Sequence, residues 1–269
     1  MYKASVIISI YSNVSALQAV LDSLKLQTEK DFEIIISEDA EHEHVKTFCQ
    51  TYSFENDYQH LTQADKGWRK NRALNNAIRA AKSDWLIFVD GDCVLHPRFV
   101  EQHLALSGNH NIVAGKRVKL SEALSKLLQE DVSNYKFIEK ELIKGLLTGR
   151  KKGNAFLEEG IFISPGSLLG FIPSIRKMHQ LKGCNMSFSK SAIEAINGFD
   201  EEYILPAIGE DIDLTWRFEA AGYRLVSARN LAVQYHLWHK ENWSDQSENI
   251  SIMERKKKNN EYYCLHGLK

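Results

Sequence analysis

The run Trp85-Leu86-Ile87-Phe88-Val89-Asp90-Gly91-Asp92 constrains this chain most, because five consecutive apolar residues end in two carboxylates one glycine apart. An apolar run of that length suits a strand buried on both faces, as in a parallel sheet covered by helices. The residues after it leave the sheet at its carboxyl edge, where ligands bind in open α/β sheets. Two acids on alternate residues can share a divalent cation and a hydroxyl-rich ligand there, and the glycine between them admits close approach. An ordinary Asp-Gly turn after a strand would leave the same tripeptide.

The flanking pattern extends the sheet. Val6 to Ile10 predicts a buried strand, and Val14, Leu17, Val20, Leu21 and Leu24 follow at helical spacing. A second strand covers 32–36. The helical pattern returns over Arg72 to Ala81 and delivers the chain into a third strand at 85–89. Strand, helix, strand, helix, strand implies a parallel sheet with right-handed crossovers. Farther on, Leu124, Leu127, Leu128, Val132, Tyr135, Ile138 and Leu142 predict one long amphipathic helix, and Lys151 to Arg176 reads as a long functional loop or lid. Helices are expected over 190–196 and 212–221, the second stopped by Gly222, and a strand over 231–235 leads into His236. No repeat or linker divides the 269 residues, so a single domain is expected.

Charge excludes one class of partner. With 34 basic and 35 acidic side chains the formal net charge is -1, which gives no footprint for nucleic acid. Cys49, Cys93, Cys184 and Cys264 lack paired metal-ligand spacing and read as reduced thiols, and the first apolar strand is too short for a signal core or a membrane span. A cytoplasmic protein is the resulting expectation, with the basic tail Arg255-Lys256-Lys257-Lys258 and the nearby Tyr262, Tyr263 and Leu265 offering a peripheral contact to the inner face of an anionic membrane. A solvated terminal helix is the plainer reading of that tail.

A second acidic group stands at Gly209-Glu210-Asp211-Ile212-Asp213. Acids in a first helical turn complement its dipole, but three in four positions exceed what capping needs and repel unless a cation or a ligand offsets them. Downstream, His236 and His239 end a strand three residues apart. Either alone would pass as a structural histidine; together they offer the nitrogen ligand that Asp90 and Asp92 lack.

These segments together resemble the family 2 inverting glycosyltransferases of the GT-A fold, and the carboxyl-terminal half resembles the galactosyltransferase-type terminal domain. The resemblance rests on 5–12, Glu38-Asp39, Lys66-Gly67 through Arg72-Ala73-Leu74-Asn75, Asp90-Gly91-Asp92, Gly183-Cys184-Asn185-Met186-Ser187-Phe188 and the acidic and histidine segments. It implies an α/β fold with a mostly parallel, Rossmann-like central sheet flanked by helices. Residues 1–115 would be the nucleotide-binding half and 116–269 the acceptor-binding, catalytic half. Carried over, Ser9, Tyr11 and Asp39 would surround a uracil-type base, Arg72 would reach the base or the phosphates, and Asp90 would bind ribose hydroxyls. Asp92 would coordinate Mn2+ or Mg2+ with His236, or with His239 in its place, and a histidine ligand favours manganese. Asp211 would be the general base and Glu210 would hold the acceptor. Many relatives carry two aspartates where this chain has Glu38-Asp39.

The implied reaction moves a hexose or N-acetylhexosamine from a UDP-sugar donor to a hydroxyl of a glycan or lipid-linked acceptor, in surface polysaccharide synthesis. Trp216, Trp238 and Trp243 could stack on such an acceptor, although the helical pattern around Trp216 favours core packing for it. Two other classes fit parts of the pattern. Asp90-Gly91-Asp92-Cys93-Val94 matches a haloacid-dehalogenase phosphatase motif, although that motif normally follows the first strand. A non-catalytic sugar-nucleotide-binding module would keep the fold without the chemistry.

Overall fold

The computed structural model describes residues 2–206, 208–240 and 245–269. The first half runs β1 (Ala4–Ile10), α1 (Val14–Lys25), β2 (Phe32–Glu38), α2 (Glu43–Thr51), β3 (Tyr58–Leu61), α3 (Lys70–Ala80), β4 (Trp85–Asp90), β5 (Cys93–Leu95), α4 (Phe99–Ala105) and β6 (Asn111–Ala114). The second runs β7 (Val118–Lys119), α5 (Glu122–Glu130), α6 (Tyr135–Thr148), α7 (Ile172–Ile175), β8 (Asn185–Ser189), α8 (Lys190–Ala195), α9 (Asp213–Ala220), β9 (Arg224–Ser227), β10 (Gln234–His236) and α10 (Ser247–Lys258).

Seven strands form the central sheet in the order β3-β2-β1-β4-β8-β6-β9. It is mostly parallel, as expected, with β8 antiparallel to both β4 and β6. The interior of β1, β2 and β4 is apolar on both faces, and one core lies on each side of the sheet. Register gathers the strand ends: Ser9 lies beside Ser37 on one side and Asp90 on the other, so β1, β2 and β4 release their next residues at one carboxyl edge. A second sheet of three short strands, β5-β10-β7, lies over a third core built from α1, α5 and α6.

Three expectations need correction. The strand before Asp90 is the fourth, because the polar sequence of β3 forms an edge strand beside β2. The single long helix is two, since the Asp131 side chain accepts from the Ser133 N–H and starts a 3-10 turn over Val132–Asn134 between α5 and α6. Lys151 to Arg176 is not one free loop. Lys119 and Ala155 pair through their backbones, a 3-10 turn over Leu157–Gly160 packs under α6, and Arg176 is tied back to Glu159 at 2.9 Å. Among the described residues no helix is long and apolar enough to cross a membrane.

The carboxyl-terminal segment is locked to α9 by Arg217, whose side chain is fully buried. Its guanidinium meets the Asp213 carboxylate at 3.1 Å and donates to the carbonyls of Tyr262 and Ile196. Arg217→Ala leaves the Asp213 charge buried and unpaired, which costs about 3–5 kcal/mol. A matching fall in the urea midpoint at unchanged slope is expected. A change no larger than the roughly 0.5 kcal/mol of an ordinary surface substitution would show that the pair does not hold this segment.

Candidate active site

Two cavities meet at Asp90 on the carboxyl edge of the sheet. The larger, of about 740 Å³, is lined by Ser9, Tyr11, Asp39, Asp65, Trp68, Lys70, Asp90, Asp92 and His239 among others. The smaller, of about 380 Å³, is lined by Asp90, Lys116, Arg117, Phe156, Lys182, Glu210 and Asp211 among others.

In the larger cavity the Tyr11 ring is half exposed and its hydroxyl donates to Asp65 at 2.8 Å. Asp39 is nearly buried, and its two oxygens accept from the Gln63 amide at 2.6 Å and the Arg69 N–H at 2.7 Å. Burial outweighs those bonds and raises its carboxyl above the usual range. The neighbouring Glu38 turns away, fully buried between His42 at 2.9 Å and His60 at 2.8 Å, and holds the end of β2. Gly91 brings the backbone close, since its N–H donates to Ser9 at 2.8 Å and a Cβ there would stand 3.0 Å from the same carbonyl.

The small sheet builds a possible cation site. Antiparallel pairing of β5 with β10 sets His236 opposite Cys93, one residue after Asp92, and the Leu237 N–H donates to the Asp92 carbonyl at 2.9 Å. The Asp92 Oδ2 atom lies 3.6 Å from His236 Nε2 and 3.3 Å from His239 Nε2, and the two nitrogens are 3.3 Å apart. Ligands at right angles around an ion with bonds of about 2.1 Å lie about 3 Å apart, so these three atoms fit one divalent cation. Burial opposes the Asp92 charge, but the hydrogen bond from His239 and the positive charges nearby hold its carboxyl down at about 2. Burial pushes His236 down to about 4, which leaves the neutral imidazole that a metal needs.

Lys70, at the start of α3, joins the two cavities: its ammonium lies 2.8 Å from Asp90 and 2.8 Å from Glu210. Arg117 approaches Asp90 at 3.5 Å, and Lys182 approaches Asp211 at 4.0 Å. Glu210 and Asp211 belong to a π-helical turn over Ile208–Ile212 that leads into α9, and burial raises both carboxyls. The buried Asn71 and Asn75 position that loop. The Asn71 amide donates to the Asp200 and Gly209 carbonyls at 2.7 and 3.0 Å, and Asn75 bonds both backbone groups of Phe199.

The cavities thus gather Ser9, Tyr11, Asp39, Asp90, Asp92, His239, Glu210 and Asp211, with His236 beside Asp92. Arg72 is the exception: it is exposed on the outer side of α3 and lines neither cavity, and Lys70 stands inside instead. Helical phase carries the signal for this, because Lys70 shares a face with the buried Leu74, Ala77 and Ile78, whereas Arg72 falls with Asn76 and Arg79. Sequence reasoning also missed Arg117 and Lys182, which lie outside any periodic pattern. Trp216 is structural, donating to Asp213 at 2.9 Å; Trp238 is half exposed, and Trp243 lies outside the described residues.

A mostly parallel sheet carrying an Asp-Gly-Asp turn at its carboxyl edge, with a histidine pair and an acidic turn around it, is the arrangement of a glycosyltransferase of the GT-A class. The glycosyl transferase family 2 model matches residues 5–163, and a model described as the N-terminal domain of galactosyltransferase matches 175–240. The chain belongs to the family 2 glycosyltransferases. The chondroitin synthase of Pasteurella multocida is 24% identical over 263 residues, which cover 92% of this chain and 26% of that one. Among solved structures, the mannosyltransferase PcManGT from Pyrobaculum calidifontis, in complex with GDP-Man and Mn2+, matches with TM-score 0.56 at 14% identity over 90% of this chain and 58% of that one. S. aureus TarS 1-349 in complex with UDP-GlcNAc matches with TM-score 0.58 at 14% identity over 93% and 64%. The chain therefore spans only about a quarter of the length of that curated relative, and the two structures establish the fold.

Mn2+ is expected to raise the melting temperature by mass action on the native state. Asp92→Asn and His236→Ala should each weaken that effect at least about tenfold. A Mn2+ shift that survives both substitutions would place the ion elsewhere.

Proposed function

We propose that this chain moves a hexose or N-acetylhexosamine, with inversion, from a UDP-sugar to a hydroxyl of a glycan or lipid-linked acceptor, in cytoplasmic synthesis of a surface polysaccharide. The observation that carries this reading is the pair of cavities joined at Asp90: one of nucleotide-sugar size contains Asp39 and Asp92, and a smaller one contains Glu210 and Asp211. The first draws mainly on residues 9–92 and the second mainly on 116–211, in keeping with a donor half (1–115) and an acceptor half (116–269) of one domain.

On this reading the Tyr11 ring stacks on uracil, Asp39 accepts the imide N–H, and Ser9 lines the base pocket. Asp90, shared by both cavities, takes hydroxyls of the ribose or the sugar. Asp92, His236 and His239 hold Mn2+ or Mg2+, with manganese favoured by the nitrogen ligands. When bound, such an ion neutralises the charge that develops on the departing diphosphate. Glu210 is tied to Lys70 at 2.8 Å and positions the acceptor hydroxyl, whereas Asp211 meets Lys182 only at 4.0 Å and keeps lone pairs for a proton. Asp211 is thus the general base, and its burial makes it a stronger one. Attack from the acceptor cavity on a sugar held from the donor side gives inversion.

Asp211→Asn tests the base and works in two directions. Loss of general base catalysis should lower kcat by about 10²- to 10⁴-fold while the donor KM stays within about threefold. The same change should stabilise the fold at neutral pH: the native carboxyl is raised above its unfolded value, so the native state binds more protons and the aspartate costs stability as pH rises. The gain in melting temperature at pH 7.5 should close below about pH 4, where both states carry the proton. Transfer should occur with UDP-sugars and not GDP-sugars. Unchanged kcat in the variant would remove Asp211 from the mechanism, and a response to GDP-sugars alone would overturn the uracil assignment.

A further inference from the structure

We propose that the face formed by α6, the turn after it and the segment 162–177 docks on an anionic lipid bilayer. Of the 17 large apolar side chains that stand exposed among the described residues, nine fall between Phe137 and Ile175, so more than half come from one stretch of the chain. Leu147 is 83% exposed, Leu168 98% and Ile175 66%. The same stretch, 136–177, carries eight lysines and arginines against four glutamates, in a chain whose formal net charge is -1.

Each of the four acids is engaged: Glu141 faces Lys152 at 3.1 Å and Lys144 at 3.6 Å, and Glu158 faces Arg176 at 3.8 Å. Glu139 accepts from the Phe162 N–H at 2.6 Å, and the buried Glu159 is held by Arg176 and Arg229. On the outer side of α6, Lys136, Lys140 and Lys144 recur every fourth residue among the exposed Phe137, Ile143 and Leu147. Arg150, Lys151 and Lys152 follow, all exposed. The loop that carries Leu168 and Ile175 is pinned at both ends beside α6, through Phe162 to Glu139 and through Arg176 to Glu159 in the turn packed beneath it. Apolar side chains interleaved with lysine and arginine match an interface where acyl chains meet anionic headgroups. A second copy of the chain is the poorer occupant, because a self-complementary contact would set these cations against each other.

The carboxyl-terminal tail does less than its sequence suggests. Lys256 is buried against Asp200 and Glu202, and Arg255 is paired with Glu202 and Glu261, which leaves Lys257 and Lys258 at the surface. Phe156, half exposed and held in the left-handed region at φ 58°, stands in the chain between α6 and the 162–177 segment and lines the smaller cavity.

Flotation of the whole chain with vesicles tests this. At low salt it should float with vesicles of equal parts phosphatidylglycerol and phosphatidylcholine and stay behind with phosphatidylcholine alone. Leu147→Glu combined with Leu168→Glu should weaken binding at least about tenfold. Lys257→Glu combined with Lys258→Glu should leave it unchanged. A retained UDP-dependent melting shift, or failing that an unchanged far-ultraviolet circular dichroism spectrum, shows that the apolar variant is folded. Absence of the parent chain from the floated fraction overturns the proposal, as does an apolar variant that floats like the parent or a loss caused by the tail variant. Light scattering that shows a dimer converted to a monomer by the apolar variant assigns the face to a second copy and overturns it equally.

Discussion

The Lys70 ammonium lies 2.8 Å from a carboxylate oxygen of Asp90 and 2.8 Å from one of Glu210, and the acid-rich edge of the sheet depends on it. Two carboxylates facing each other at about 4 Å near a protein surface repel by about 4 kcal/mol at an effective dielectric of 20, and a cation between them reverses the sign. Lys70 is there because the apolar phase of α3 turns it inward and because Asn71 and Asn75 tie that helix to the loop before the acidic turn. One helix start thus links the walls of the larger and the smaller cavity. Burial opposes the ammonium charge, yet Asp90 and Glu210 outweigh it and hold the ammonium protonated.

The neighbourhood of Asp92 depends on a register. The pairs His236 with Cys93 and Tyr235 with Val94 keep both nitrogens near the aspartate, and a slip of one residue would exchange the faces of β10. Tyr235 prevents the slip. It is fully buried in the core shared by Val94, Val118, Leu128, Ile138 and Leu142, so the packing of α5 and α6 beneath the small sheet holds a polar cluster on its other side. The alternation of one buried aromatic with one polar ligand candidate links the stability of that core to the geometry of the site.

Much of this was legible in the sequence where burial is uniform. The apolar runs of β1, β2 and β4 announce a two-sided sheet, and the acidic ends of β2 and β4 announce the edge where the two cavities lie. The misses have a common physical origin in partners that sequence spacing does not show. β3 is polar because it is an edge, so its pattern reads as loop. The break between α5 and α6 is made by one aspartate that caps a turn within an otherwise continuous apolar stripe. Lys116, Arg117 and Lys182 reach the smaller cavity from irregular backbone, where no period points to a face. The phase of α3 alone sets the exposed Arg72 apart from Lys70, which lines the larger cavity.

Glu210, Asp211 and Asp213 show how backbone geometry assigns three acids to different roles. In a regular α-helix Glu210 and Asp213 would be neighbours three residues apart on one face, where like charges destabilise. The wider π-helical turn over Ile208–Ile212 changes the phase before α9 begins. Glu210 and Asp211 both reach the smaller cavity, while Asp213 turns into the core. There it meets Arg217 at 3.1 Å, the Tyr203 hydroxyl at 2.8 Å and the Trp216 indole at 2.9 Å, a set that engages both of its oxygens inside the core. Asp211 has no such set. It accepts weakly from the Gly183 N–H at 3.5 Å and faces Lys182 at 4.0 Å. Burial raises both aspartates, so burial alone does not make a base. The contrast lies in satisfaction: the aspartate with three side-chain partners ties α9 to the core, and the one left short of partners lines the smaller cavity.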